Sequence, residues 1–128
     1  MEKNIVICDT NIFIHWFNND MPTIHKLKEI GPENIALSVI TLMELIAGVD
    51  NNNQLKQLNK KIRHYTIIDF SDKVSAVSLG IFEKYNLSHN LQIPDAIIAG
   101  TAIVNDLPLF TYNLKDFRYI PGLKLYGD

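Results

Sequence analysis

Short apolar runs alternate along this chain with stretches whose apolar residues recur every three or four positions. Ile5 to Cys8 is compact, β-branched and closed by Asp9-Thr10-Asn11, which predicts a short, fully buried strand. Ile12 to Phe17 predicts a helix that is apolar nearly all round, because Ile14 falls outside the stripe of Ile12, Phe13, Trp16 and Phe17. Such a helix is either packed on two sides within its domain or turns part of its surface, including Trp16, towards a partner. Pro22 suits a first helical turn, Ile24, Leu27 and Ile30 follow at helical spacing, and Gly31 is the stop. Ile35 to Ser38 is the next strand, Thr41 to Ala47 a helix ending near Gly48, and Asp50 to Asn53 a loop. Leu55, Leu58 and Ile62 then form the inner stripe of a helix whose outer face carries Lys56, Lys60 and Arg63.

The alternation continues. Tyr65 to Ile68 predicts a strand, and Ser71 caps a helix running to about Tyr85. Leu87 to Ile93 is irregular, Pro94 and Asp95 open a helix over Ala96 to Val104, Leu109 to Thr111 is a buried strand, and a last strand is expected near Leu123 to Tyr126. Strands alternating with helices predict an α/β fold, a mostly parallel sheet covered on both faces. In such sheets, sites form in the crevice at the carboxyl ends of the strands, which both Asp9 and the segment from Thr111 to Asp116 can reach.

Size and composition narrow the setting. With 128 residues, 47% hydrophobic and 20% charged, residues 1–128 are expected to form one globular domain. A chain of this length buries roughly two-thirds of its unfolded surface and needs no staple. Cys8, the one cysteine, lies in an apolar run and reads as an inert core thiol, which suits a reducing, cytoplasmic setting. No targeting segment is expected, because Asp9 interrupts the first apolar stretch; Ile35 to Val49 is too short and too polar for a membrane span, which takes roughly 20 residues. A formal charge of −2 argues mildly against holding nucleic acid by charge alone, but one bound divalent cation would cancel it.

An acid at the end of a buried strand is expensive unless a cation or a reaction uses it. Asp9, Glu44, Asp95 and Asp116 are the candidates, and each also has a plain structural reading. Asp9 can cap the helix after it. Thr41-Leu42-Met43-Glu44 has the form of a capping box. Asp95 can serve a helix macrodipole, and Asp116 can be a surface acid in a turn. Gathered in one pocket they would repel one another unless a hard cation lay among them; Mg²⁺ takes one or two carboxylates directly and keeps waters. No His and Cys spacing suggests zinc, and His15, His25 and His89 show no ligand pattern. The row of Lys56, Lys60 and Arg63, with Lys61 and His64 nearby, reads first as a solvated face and second as a phosphate track.

Four blocks, in order, resemble the motifs of the PIN-domain ribonucleases, particularly the VapC toxins of toxin-antitoxin systems. They are Asp9-Thr10-Asn11 after a hydrophobic strand, Thr41-x-x-Glu44-Leu45, Pro94-Asp95-Ala96-Ile97-Ile98-Ala99 and Thr111-x-Asn113-x-x-Asp116-Phe117. Pro121-Gly122-Leu123 suits the family's C-terminal end. The resemblance implies an α/β/α sandwich and a Mg²⁺- or Mn²⁺-dependent endoribonuclease that is usually a homodimer silenced by a cognate antitoxin. It implies that Asp9, Glu44, Asp95 and Asp116 are the catalytic acids, with Asp9 and Asp95 the metal ligands. Asn11 and Asn113 are then supporting polar residues, and Thr111 orients its neighbours. Some PIN enzymes carry an acid where this chain has Asn113, so the fourth carboxylate rests on Asp116. Three rival readings are a catalytically silent PIN-fold binding module, a PIN nuclease of RNA maturation, and a receiver domain phosphorylated at Asp69. The last lacks the paired acids expected beside Asp9.

Overall fold

The computed structural model describes residues 4–127. Four strands, β1 (Val6–Cys8), β2 (Ile35–Ser38), β3 (Thr66–Ile68) and β4 (Leu109–Phe110), form one sheet in the order β3-β2-β1-β4, with every pairing parallel. Their brevity follows from the sequence: each apolar run is cut within a few residues by an acid, a serine or a threonine.

Because side chains alternate across a strand, the sheet separates two cores. Val6, Cys8, Ile35, Leu37 and Phe110 meet α1 (Thr10–Phe17), α2 (Met21–Ile30) and α4 (Asn52–Ile62) on one face. Ile7 and Leu109 meet α6 (Ile93–Val104) and α7 (Leu114–Phe117) on the other, and α5 (Asp72–His89) packs outside α6. The short α3 (Val39–Ala47) bridges the layers by touching both α1 and α6. This is an α/β/α sandwich.

Several local signals act as expected. Pro22 lies in the first turn of α2, Ser71 Oγ accepts from the Val74 N–H at the start of α5, and Gly31 ends α2 at φ 89°, where a side chain would be strained. Asp20, a cap not expected from the sequence, accepts from the Thr23 N–H at the start of α2. Trp16 is half-buried against Phe17 and Tyr65, part of the first core, while Ile14 on the same helix is exposed. Burial pushes the Cys8 thiol up, and the Asp9 charge adds to this, so the cysteine is an inert core group.

Other expectations fail for identifiable reasons. Of the segment expected to be irregular from Leu87 to Ile93 only 90–92 is so: α5 continues to His89 and stops where Asn90 takes a left-handed φ of 53°, its N–H bonding the Tyr85 carbonyl, and Ile93 already belongs to α6. The expected last strand reduces to one parallel bridge between Leu109 and Leu125, because the turn around Pro121 and Gly122 leaves too little extended chain. A single-turn 3₁₀ helix, Pro32–Asn34, precedes β2. Among the described residues no helix is long and apolar enough to cross a membrane.

Candidate active site

The neighbouring strands β1 and β4 both deliver polar residues at their carboxyl ends. Asp9 follows β1 and is buried, yet both its oxygens are used: Thr10 N–H donates to Oδ1 at 2.8 Å and the Thr111 hydroxyl, after β4, donates to Oδ2 at 2.8 Å. Thr111 Oγ1 also accepts from the Asn113 N–H at 3.0 Å. Thr111 Oγ1 thus ties Asp9 to the turn carrying Asn113, whose contribution to this link is its backbone N–H. Asn11 sits half-buried in the first turn of α1.

Glu44 does not form a capping box with Thr41. The helix starts two residues earlier, at Val39, and its cap is Ser38, whose Oγ accepts from the Thr41 N–H at 3.2 Å. Glu44 instead crosses to α1, where the Thr10 hydroxyl donates to its Oε1 at 2.7 Å; Thr10 Oγ1 also lies 3.2 Å from Thr41 Oγ1. A run of hydroxyls, Ser38, Thr41 and Thr10, thus links β2 to the acid. None of these three hydroxyls was singled out as a site group from sequence. The readable signal for Thr10 was a β-branched hydroxyl directly after a strand-ending acid.

Asp95 stands in the first turn of α6 and Asp116 in α7, and they share the wall of a cleft of about 200 Å³ with His89, Asn90, Gln92 and Tyr119. The four acids lie in one electrostatic field. The Asp95 carboxyl is pushed up to about 7, first by burial and then by the charges of Asp9, Asp116 and Glu44. Burial also raises Asp9, aided by Glu44 and Asp116, against the lowering effect of its two hydrogen bonds. No lysine or arginine figures among the causes at either residue. As the side chains stand, however, no three acids among the described residues converge closely enough to hold a metal ion. The field is shared; the ligand sphere is not preformed.

Lys56, Lys60 and Arg63 border a shallow, exposed hollow on α4 that contains none of these acids. The most apolar hollow, about 450 Å³ between α5 and α6, is lined by Phe70, Leu79, Phe82 and Ile93 and also contains none of them.

The PIN domain model matches residues 6–123. The chain belongs to the PIN-domain family. It is 30% identical to ribonuclease VapC1 of Methanocaldococcus jannaschii over 98% of this chain and 89% of that protein. Among solved structures, a toxin-antitoxin complex from Klebsiella pneumoniae contains a chain 33% identical with a TM-score of 0.79, covering 92% of this chain and 94% of that one. A chain of VapBC2 from Rickettsia felis, crystallised with a DNA fragment from the promoter, is 30% identical at a TM-score of 0.78, covering 94% and 96%. Membership of the PIN family leaves the receiver reading without support, and Asp69 ends the edge strand β3, exposed and away from the β1–β4 crevice.

Proposed function

We propose that residues 1–128 are one PIN nuclease domain, that it cuts RNA phosphodiesters as a cytoplasmic endoribonuclease, and that it is the toxin half of a toxin-antitoxin pair. The observation that carries this reading is the field of four carboxylates, Asp9, Glu44, Asp95 and Asp116, in which no lysine or arginine among the described residues offsets the charge at Asp9 or Asp95. The ribonuclease and toxin-antitoxin relatives support the biological assignment over a role in RNA maturation or a silent binding module.

Carboxylates alone would repel a phosphodiester, so this site needs a cation to accept one. Its donors are all hard oxygens, carboxylates flanked by threonine hydroxyls, which fits Mg²⁺ or Mn²⁺ with Asp9 and Asp95 as direct ligands. Such a cation supplies Lewis-acid activation of water and neutralises charge at the scissile phosphate. Asp9, held by two donors, keeps its orientation without it. Asp95, titrating near neutrality, can lose its proton when a cation arrives. Glu44, anchored by the Thr10 hydroxyl, is the proton acceptor for the attacking water, and Asp116 completes the acidic rim. Attack by water leaves a 3′-hydroxyl and a 5′-phosphate.

The test is an RNA panel incubated with Mn²⁺, Mg²⁺ or chelator, with the cut ends mapped. Cleavage should require the ion, disappear in Asp9→Asn, and fall at least about tenfold in Glu44→Gln while both variants stay folded. Undiminished cutting in excess chelator would overturn the proposal.

A further inference from the structure

We infer that the cleft beside Asp95 and Asp116 is a subsite for one unpaired nucleobase of the RNA, adjacent to the scissile phosphate, with the His89 ring as its stacking platform. This rests on the ribonuclease reading above. It adds His89, Asn90, Gln92 and Tyr119 to the surroundings of Asp95 and Asp116.

The cleft is built from two chain segments. Asn90, left-handed at φ 53°, turns the chain sharply from α5 into α6, and buried Leu91 anchors that turn, so His89, Asn90 and Gln92 are brought beside Asp95. Tyr119, three residues beyond Asp116, also lines the cleft. The two segments are joined by aromatic contact: the His89 and Tyr119 rings stack with centroids 3.9 Å apart and an interplanar angle of 17°, and Tyr85 meets both edge-on at 5.4 and 4.9 Å. His89 is nonetheless an exposed residue. A planar ring can therefore extend a stack that the fold already holds in place.

Chemistry selects the occupant. Two carboxylates and no lysine or arginine line the cleft, so it repels phosphate and suits a neutral group. Aromatic faces together with the Asn90 and Gln92 amides match a flat ring with hydrogen-bonding edges. The volume, about 200 Å³, lies below the roughly 300–1,000 Å³ of pockets for drug-sized ligands, and fits a single base. Sequence-tolerant stacking beside the acids would also supply binding that a chain of net charge −2 does not obtain from its overall charge.

The experiment uses unstructured oligoribonucleotides carrying 2-aminopurine at successive positions, bound to Asp9→Asn protein so that they are not cut. Emission should change at one position on binding, and this change should vanish in the added His89→Ala substitution and persist with His89→Phe, which keeps a stacking face. In the otherwise unsubstituted enzyme, His89→Ala should raise KM about tenfold with kcat nearly unchanged, and His89→Phe should restore most of the loss. A parent that cleaves RNA while His89→Ala matches it in KM and in the emission change overturns the subsite alone. A parent that neither binds nor cleaves any RNA overturns the ribonuclease reading and the subsite with it.

Discussion

Asp95 shows how a single residue couples the fold to its surroundings. In the unfolded chain its carboxyl titrates near 3.8, and in the folded protein near 7, because burial and three neighbouring acids oppose ionisation. The folded state therefore binds this proton more tightly. The associated stability is fully present below about pH 3.8 and is lost as pH rises through 7. Asparagine has no charge to oppose. In chelator, Asp95→Asn should melt at a higher temperature than the parent at pH 8, with the gap narrowing towards pH 5; thermal denaturation across that range checks it. Added Mn²⁺ should raise the melting temperature of the parent more than that of the variant. A gap independent of pH, or equal metal shifts, would mean that Asp95 stands outside the acidic field.

At the scale of elements, the contact between α5 and α6 has the least tolerance. Gly100 of α6 faces Ser78 of α5 so closely that an added Cβ would collide with Ser78 Oγ and press on its backbone. The helices can approach this far only because one side of the contact has no side chain. Gly100→Ala should destabilise by about 1–3 kcal/mol through overpacking. Ser78 Oγ is itself buried without a partner, so Ser78→Ala alone should be neutral or slightly stabilising. Because both atoms compete for one space, the double variant should recover part of the loss from Gly100→Ala, and denaturant unfolding of the four proteins measures that coupling. Simple additivity would show that the strain falls on the Ser78 backbone instead.

Across the whole molecule, exposed apolar side chains are spread over several elements, and one group of them surrounds the hollow between α5 and α6. Phe70, Leu79 and Ile93 are 48, 59 and 61% exposed around the hollow between α5 and α6, a patch of the kind that a second copy of the chain covers. If the patch joins two copies of the chain, Leu79→Asp should leave the monomer folded and lower the mass seen by light scattering; an unchanged mass would leave the patch without that role. Trp16, by contrast, packs into the first core, so the open part of α1 is Ile14, which borders a groove with Phe17, Leu45 and Val49.

Local chemistry made much of this protein legible. The strand runs ended by Asp9 and Ser38, the Ser71 cap, the Pro22 start and Gly31 stop, and the alternation implying a parallel sheet all depend on neighbours within about one helical turn. The same range of interaction misled at Glu44, where a plausible capping box sits one turn inside a helix already capped by Ser38. It misled again at Leu87, where α5 runs on through three exposed residues and ends only at the left-handed Asn90. What only the tertiary structure decided are the contacts that join distant segments: Thr10 to Glu44, 34 residues apart, Thr111 to Asp9, 102 apart, and His89 stacked on Tyr119. Propensity and capping act through the backbone at short range. The meeting of two side chains across the sheet is set by strand order and helix packing, which no single segment encodes.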